Sequence, residues 1–459
     1  MLSTHYQHLR IDRMFLFLIT FLLFSCQSSN STKAQTNKKI STTVERTTDT
    51  IKGVSKVKKH GRTFKKLQLV KTIQSNYPSI NNDTVVFDPS INSPKSVIYN
   101  ADGDKFYVNS LEGFTTTVYD SRTLKKLKDI KHSFNDSNQF LFKNNETTVF
   151  DYPYKQEREN LNHFKGKPVE GCLSHNGKYL WITYYRRNFD LHAESPSALA
   201  IIDTEKDEII RVIPTGPLPK MIACSNDNKY IAVTHWGDNT VGIIDINSSN
   251  VFDFKYIKHI VIDEKMELEF EEKVDRDNDC GNCLRGTTFN PENTFLFVAK
   301  MGGNGIAVID LKDLEYKGTL SGSLLNLRHI VINNHDLYTS SNRYGAVQKI
   351  KIDSIPFRRL ANSKTVIRLK DWKTIEIGKG VRTIEVTRNG KYVFACVNNE
   401  GVISVIESAT MNEVFRIEVS KFPVGMALSG DGNQLITTSQ GKDGIISGNA
   451  VNVYEVIYD

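Results

Sequence analysis

Basic side chains recur at one position of a repeating pattern in this chain. Eight residues before each of seven turn glycines, or before the residue standing in for one, lie Lys95, Val169, Lys220, Arg285, Arg328, Arg382 and Val424, and five of these seven are cationic. Arginine offers a planar fork that fits carboxylate or phosphate, and lysine a compact point charge. The segment after the following strand adds polar groups in copy after copy: Asn109, Tyr184-Tyr185-Arg186-Arg187, His235-Trp236-Gly237-Asp238-Asn239, Lys300-Met301, Asn342-Arg343 and Asn398-Asn399, with His329 beside Arg328. Tyr184, Tyr185 and Trp236 bring stacking faces. If the fold gathers these positions at one concave mouth, they make an anion-attracting site. The competing reading is structural, with each cation tied to a carboxylate or carbonyl of the neighbouring repeat.

Other groups make narrower offers. His235 could act as a general base with Asp238 as its orienter, although a loop histidine more commonly serves as a hydrogen-bonding strut. Asp275, Asp277 and Asp279 alternate as carboxylates do in calcium loops, but the glycine comes one place late, at Gly281, and no glutamate stands at the twelfth position. A solvated acidic loop is therefore expected there, with calcium as the second reading. Gly-x-Ser-x-Gly, P-loop and zinc-helix patterns are all missing from the sequence, so no cofactor is predicted. Cys280-Gly281-Asn282-Cys283 reads as a small-loop disulfide of an oxidising compartment. Leu284 stands where a haem-attachment motif needs histidine. Cys172, Cys224 and Cys396 sit in strand patterns and read as buried thiols.

The elements that must position these groups are short strands. A unit of apolar strand, Asn/Asp-Gly turn, apolar-aromatic strand, polar loop and Val-Ile-Asp recurs. It turns at Asp102-Gly103, Asn176-Gly177, Asp227-Asn228 and Glu292-Asn293, and closes on Asp120, Asp203, Asp245 and Asp310. Weaker copies turn near His335-Asp336, Asn389-Gly390 and Asp431-Gly432, which makes seven. Repeats of about 40–50 residues with four strands each are propeller blades, so the expected fold is an all-β seven-bladed propeller of antiparallel blades. The insertions fall at 131–165, 186–197, 262–283 and 354–372. The last copy lacks one strand, and Lys66 to Ile73 has the pattern to supply it, closing the ring by pairing the two chain ends.

These phrases resemble the YVTN-repeat propellers over residues 66–459, with Asp120, Asp203, Asp245 and Asp310 where that family carries its Ile-Asp signature. The resemblance implies a fold and a repeat more than an activity. Residues 1–25 read as an export signal: Arg10 and Arg13 precede the apolar run Met14 to Phe24, which is shorter than a membrane span. The run ends in Leu23-Phe24-Ser25-Cys26, which resembles a bacterial lipobox and implies lipidation at Cys26. Residues 26–65 form a Ser/Thr/Lys-rich tether. Residues 27–66 carry a formal charge of +9 in a chain of +7, which leaves the body, 67–459, at −3. The positive charge therefore suits anionic headgroups beside an anchor, or solvent, and nucleic-acid binding by the body is not expected. Gln27 to Asn30 holds no acidic residue, which favours the periplasmic side of the bacterial envelope.

The leading expectation is a monomeric, membrane-anchored, non-catalytic envelope propeller that holds an anionic small molecule or a protein partner. The residues expected to serve it are Lys95, Tyr184, Tyr185, Arg186, Lys220, His235, Trp236, Arg285, Arg328, His329, Asn342 and Arg382. An enzyme of the propeller lactonase or lyase kind, or a propeller seating a haem-like group, stands behind it by analogy.

Overall fold

The computed structural model describes residues 62–155, 158–267, 274–441 and 448–459. The export signal, Cys26 and all but the last few residues of the tether lie outside the described residues. Gly61–Asp459 forms one unit, a seven-bladed β-propeller.

Each blade starts with an innermost strand: Pro94–Tyr99, Phe164–Ser174, Pro219–Cys224, Leu284–Phe289, Leu327–Asn333, Val381–Val386 and Pro423–Leu428 for blades 1 to 7. The turn out of that strand uses a left-handed residue in every blade. These are Gly103, Gly177, Asn228, Asn293, Asn334, Gly390 and Gly432, with φ between 51° and 88°. Glycine and asparagine reach that region at least cost, which is why the turns were visible in the sequence. In blade 5 the turn comes slightly earlier than expected, at Asn334 rather than His335-Asp336, since the second strand already begins at Asp336.

The recurring aspartate also has a mechanical job. Asp120 Oδ1 accepts the backbone N–H groups of Arg122 and Thr123, and Asp203 Oδ1 those of Glu205 and Lys206. Asp245 and Asp310 each cap the same turn through Asn247 and Lys312. The side chain satisfies turn donors that the sheet leaves over.

Packing is distributed rather than central. Seven apolar clusters fill the seven seams between adjacent blades. The seam between blades 7 and 1 holds Ile73, Phe106, Ile436 and Val451. Phe64–Gln74 pairs antiparallel with the last strand, Ala450–Tyr458, and completes blade 7. Three additions were not expected: Ser133–Phe134 pairs antiparallel with the start of Phe164–Ser174, Val85–Phe87 runs parallel to Phe64–Gln74, and Val366–Arg368 runs parallel to Glu315–Ser321. The two parallel segments lie along an outer strand, where they cover an exposed edge.

Candidate functional site

The recurring basic position is built by the backbone. In all seven innermost strands the pairing register slips at this point. The slips fall between Pro94 and Ser96, Pro168 and Gly171, Pro219 and Met221, Leu284 and Thr287, Leu327 and His329, Val381 and Ile384, and Pro423 and Gly425. A bulge frees one or two residues from the ladder and re-aims their side chains. The freed residues include Lys95, Lys220, Arg285, Arg328 and Arg382, and in blade 2 Val169 with Glu170. The five cations meet at one mouth of the central channel, where Lys95 and Lys220 each feel three or more of the neighbouring basic groups, Arg328 feels Arg285 and Arg382, and Arg382 feels Arg285.

Their partners are few. Lys95 Nζ donates to Gln440 Oε1 at 3.3 Å. Lys220 Nζ lies 3.2 Å from Asp277 Oδ1 and sits over the rings of Tyr185 and Trp236, at 3.8 and 4.9 Å. Arg285 Nη2 is 3.9 Å from Glu170 Oε1, an ion pair without a hydrogen bond. Among the described residues the Arg328 guanidinium has only the Met301 sulfur, at 3.8 Å. The Arg382 guanidinium makes no hydrogen bond or ion pair among the described residues, and its Nε is buried without a partner. Burial, then the neighbouring arginines, holds both lysines well below the ordinary lysine range. Burial and the Arg285 charge pull Arg382 down to about 10.

Behind the mouth lies a chamber of about 310 Å³ lined by Glu170, Met221, His329, Thr383, Glu385 and Met426 among others. His329 Nδ1 accepts the Ile384 N–H at 3.3 Å, so its proton sits on Nε2. Burial, with Arg285 next, pulls His329 down to about 4 and keeps the ring neutral. Burial alone pushes the Glu385 carboxyl up to about 8. Apart from Glu170, which faces Arg285, the chamber therefore offers His329 and Glu385 as neutral hydrogen-bonding groups at pH 7, beneath a cationic rim.

Several expected site residues lie elsewhere. Tyr184 is fully buried in the seam between blades 1 and 2, with its hydroxyl 2.8 Å from His132 Nδ1. Consecutive strand residues face opposite ways, so Tyr185 alone reaches the mouth, where it donates to Asp277. His235 is also fully buried, with Nε2 2.7 Å from Thr215 Oγ1 and Nδ1 2.8 Å from Thr240 Oγ1. Asp238 accepts from Tyr152 and Thr240 rather than orienting a reachable base. The catalytic reading of this pair is corrected accordingly: both ring nitrogens are spent inside a strut. Asn342 donates to the Val381 carbonyl at 3.3 Å and braces the loop. Arg186 stays at the rim, its guanidinium on the Leu191 carbonyl and beside the Tyr185 ring.

The acidic run does not converge as a metal loop would. Asp275 caps its own turn through the Asp277 N–H and the Asn278 amide, while Asp277 turns to Lys220. No cluster of three metal-ligating side chains occurs among the described residues. Cys280 and Cys283 are joined as a disulfide. It packs with Leu218, Trp236, Tyr185 and Met301 in a small cluster on this face, and so fastens the loop that brings Asp277 to the mouth.

Glu170 and Glu385 were missed. Glu170 follows Val169, the position the repeat count selected, and enters the channel because the blade 2 bulge spans both residues. Glu385 carries no motif; only its place three residues beyond Arg382 on an innermost strand could have flagged it. A larger cavity of about 480 Å³ lies away from the mouth, under the first insertion, lined by Glu146, Tyr152, Tyr154, Arg158 and Arg187 among others.

No protein-family model and no curated protein matches the sequence. Among solved structures the chain is similar to Kuenenia stuttgartiensis hydrazine synthase, at 13% identity and a TM-score of 0.55, over 80% of this chain and 96% of that one. It is likewise similar to the β-propeller domain of Myceliophteria thermophila Cps50 (Swd1), at 11% identity and a TM-score of 0.53, over 80% of this chain and 97% of that one. At such identities the likeness is one of fold, the β-propeller.

Proposed function

We propose that this propeller is a non-catalytic binding protein of the YVTN-repeat kind, held at a bacterial envelope membrane through lipidated Cys26, and that the channel mouth binds an anion. One observation carries the binding reading: among the described residues neither Arg328 nor Arg382 makes a salt bridge, and the one carboxylate that acts on both, Glu170, is shared with Arg285. A structural arginine in this same protein looks different. Arg211 is fully buried, ion-paired to Glu146 and bonded to the carbonyls of Val251 and Phe254. Uncompensated buried charge is destabilising, and a site that carries it is organised around a charge arriving from outside.

The test is a pair of substitutions read by thermal melting. Arg328→Gln removes an uncompensated charge, so it should hold or raise the melting temperature while abolishing the stabilisation that citrate or inorganic phosphate confers on the native protein. Arg211→Gln orphans Glu146 and should cost about 3–5 kcal/mol while the anion response persists. If Arg328→Gln lowers the melting temperature as much as Arg211→Gln, and anions stabilise neither protein, the mouth is scaffold and the binding reading fails.

A further inference from the structure

The charges at the mouth do not balance, and the size of the imbalance says what kind of anion belongs there. Among the described residues five basic side chains, Lys95, Lys220, Arg285, Arg328 and Arg382, stand against two carboxylates, Glu170 and Asp277. Asp277 is already engaged by Lys220 and Tyr185. Glu170 reaches Arg285 only at 3.9 Å. Arg186, the nearest further charge, adds to the excess from the rim. Glu385 and His329, deeper in the wall, contribute no compensating charge: one is a protonated carboxyl and the other a neutral ring at pH 7.

Arginine does not shed its proton to relieve such crowding, and the two lysines, whose hold on their protons burial and the arginines weaken, are strengthened in it when negative charge arrives. Tyr185 and Trp236 are engaged as well, each holding Lys220 over its ring and packed in the cluster round the disulfide. Recognition thus falls to charge and to the forked geometry of arginine rather than to an aromatic body. The walls behind the cations include Met221 and Met426, which limit screening by water and lengthen the reach of each charge.

Resting on the reading of the mouth as an anion site, we infer that its ligand is a compact polyanion carrying two or three negative charges on carboxylate or phosphate groups. A monoanion would leave at least two positive charges facing one another. A ligand with three answers the excess of the five basic side chains, with Arg186 left at the rim on the Leu191 carbonyl, and the chamber of about 310 Å³ sets the scale of what fits behind the rim.

A charge ladder tests this on the full-length protein. Binding of acetate, succinate and citrate, and in a second series inorganic phosphate and pyrophosphate, is measured by calorimetry at pH 7 and constant ionic strength. Affinity should climb roughly tenfold or more with each added charge. The better series identifies the head group. Arg382→Gln, whose guanidinium makes no salt bridge among the described residues, should hold or raise the native melting temperature and weaken citrate more than succinate, flattening the ladder. Acetate binding as tightly as citrate, with Arg382→Gln weakening both alike, would overturn the polyanion while leaving an anion site in place. No binding by any probe, or binding indifferent to Arg382→Gln, would sink both readings together.

Discussion

Glu385 faces the channel without a hydrogen bond or ion pair among the described residues, and its environment makes a pH-dependent contribution to stability of predictable sign. Burial pushes its carboxyl up to about 8, whereas an unfolded glutamate titrates near ~4.3. Between those values the folded protein holds a proton that the unfolded chain has released. The stabilisation is complete below the unfolded value and is lost as pH rises toward the folded one. Glu385→Gln removes the titration, so the melting temperature of the variant should gain on that of the native protein steadily from pH 5 to pH 8. A constant difference between the two curves would mean that the carboxyl is hydrated and ionised. At this scale the pattern in the sequence found the cations but not their context. Lys95, Lys220, Arg285, Arg328 and Arg382 share a register position that can be counted, whereas Glu385 is recognisable only once the channel exists.

Strands and turns were the most legible elements, for a physical reason. A turn that needs a left-handed residue writes glycine or asparagine into the chain, and a turn capped by a carboxylate writes aspartate. The bulge at each channel position left no such mark, because any residue can occupy it. That is why Tyr184 was placed at the mouth: without the actual register of Tyr179–Arg187, adjacent tyrosines could not be sorted between seam and surface. His235 was misplaced for a related reason, since its segment reads as a loop while His235 itself is the last residue of a buried strand. The closing strand was legible from its alternation, and its energetics can be stated. Ile73 is fully buried in the seam between blades 7 and 1, while Leu69 on the same strand is 49% exposed. Ile73→Ala should cost about 2–5 kcal/mol by denaturant titration, and Leu69→Ala within about 0.5 kcal/mol of nothing. Equal losses would mean that Phe64–Gln74 lies on the ring without sealing it.

For the whole molecule, the sequence separates a cationic N-terminal stretch from a slightly acidic body, and the five cations of the mouth stand out against that body rather than following from it. The envelope anchor is tested by Cys26→Ala, which should move the protein from the membrane to the soluble envelope fraction; retention on membranes after a high-salt wash would remove the lipid from the account. Ring closure has a further consequence, in time rather than in space. The seventh blade is assembled from Phe64–Gln74 and Pro423–Tyr458, partners separated by most of the chain. Bringing such distant segments together is entropically slow. Six blades can be made as the chain appears, but the seventh must wait for its final strand, Ala450–Tyr458, and until then the first strand and blade 6 present unpaired flanks. A chain interrupted after blade 6 but before that last strand is left with its opening at one fixed place, between blades 6 and 1. A chaperone or a protease that distinguishes finished from nearly finished copies needs to inspect only that place.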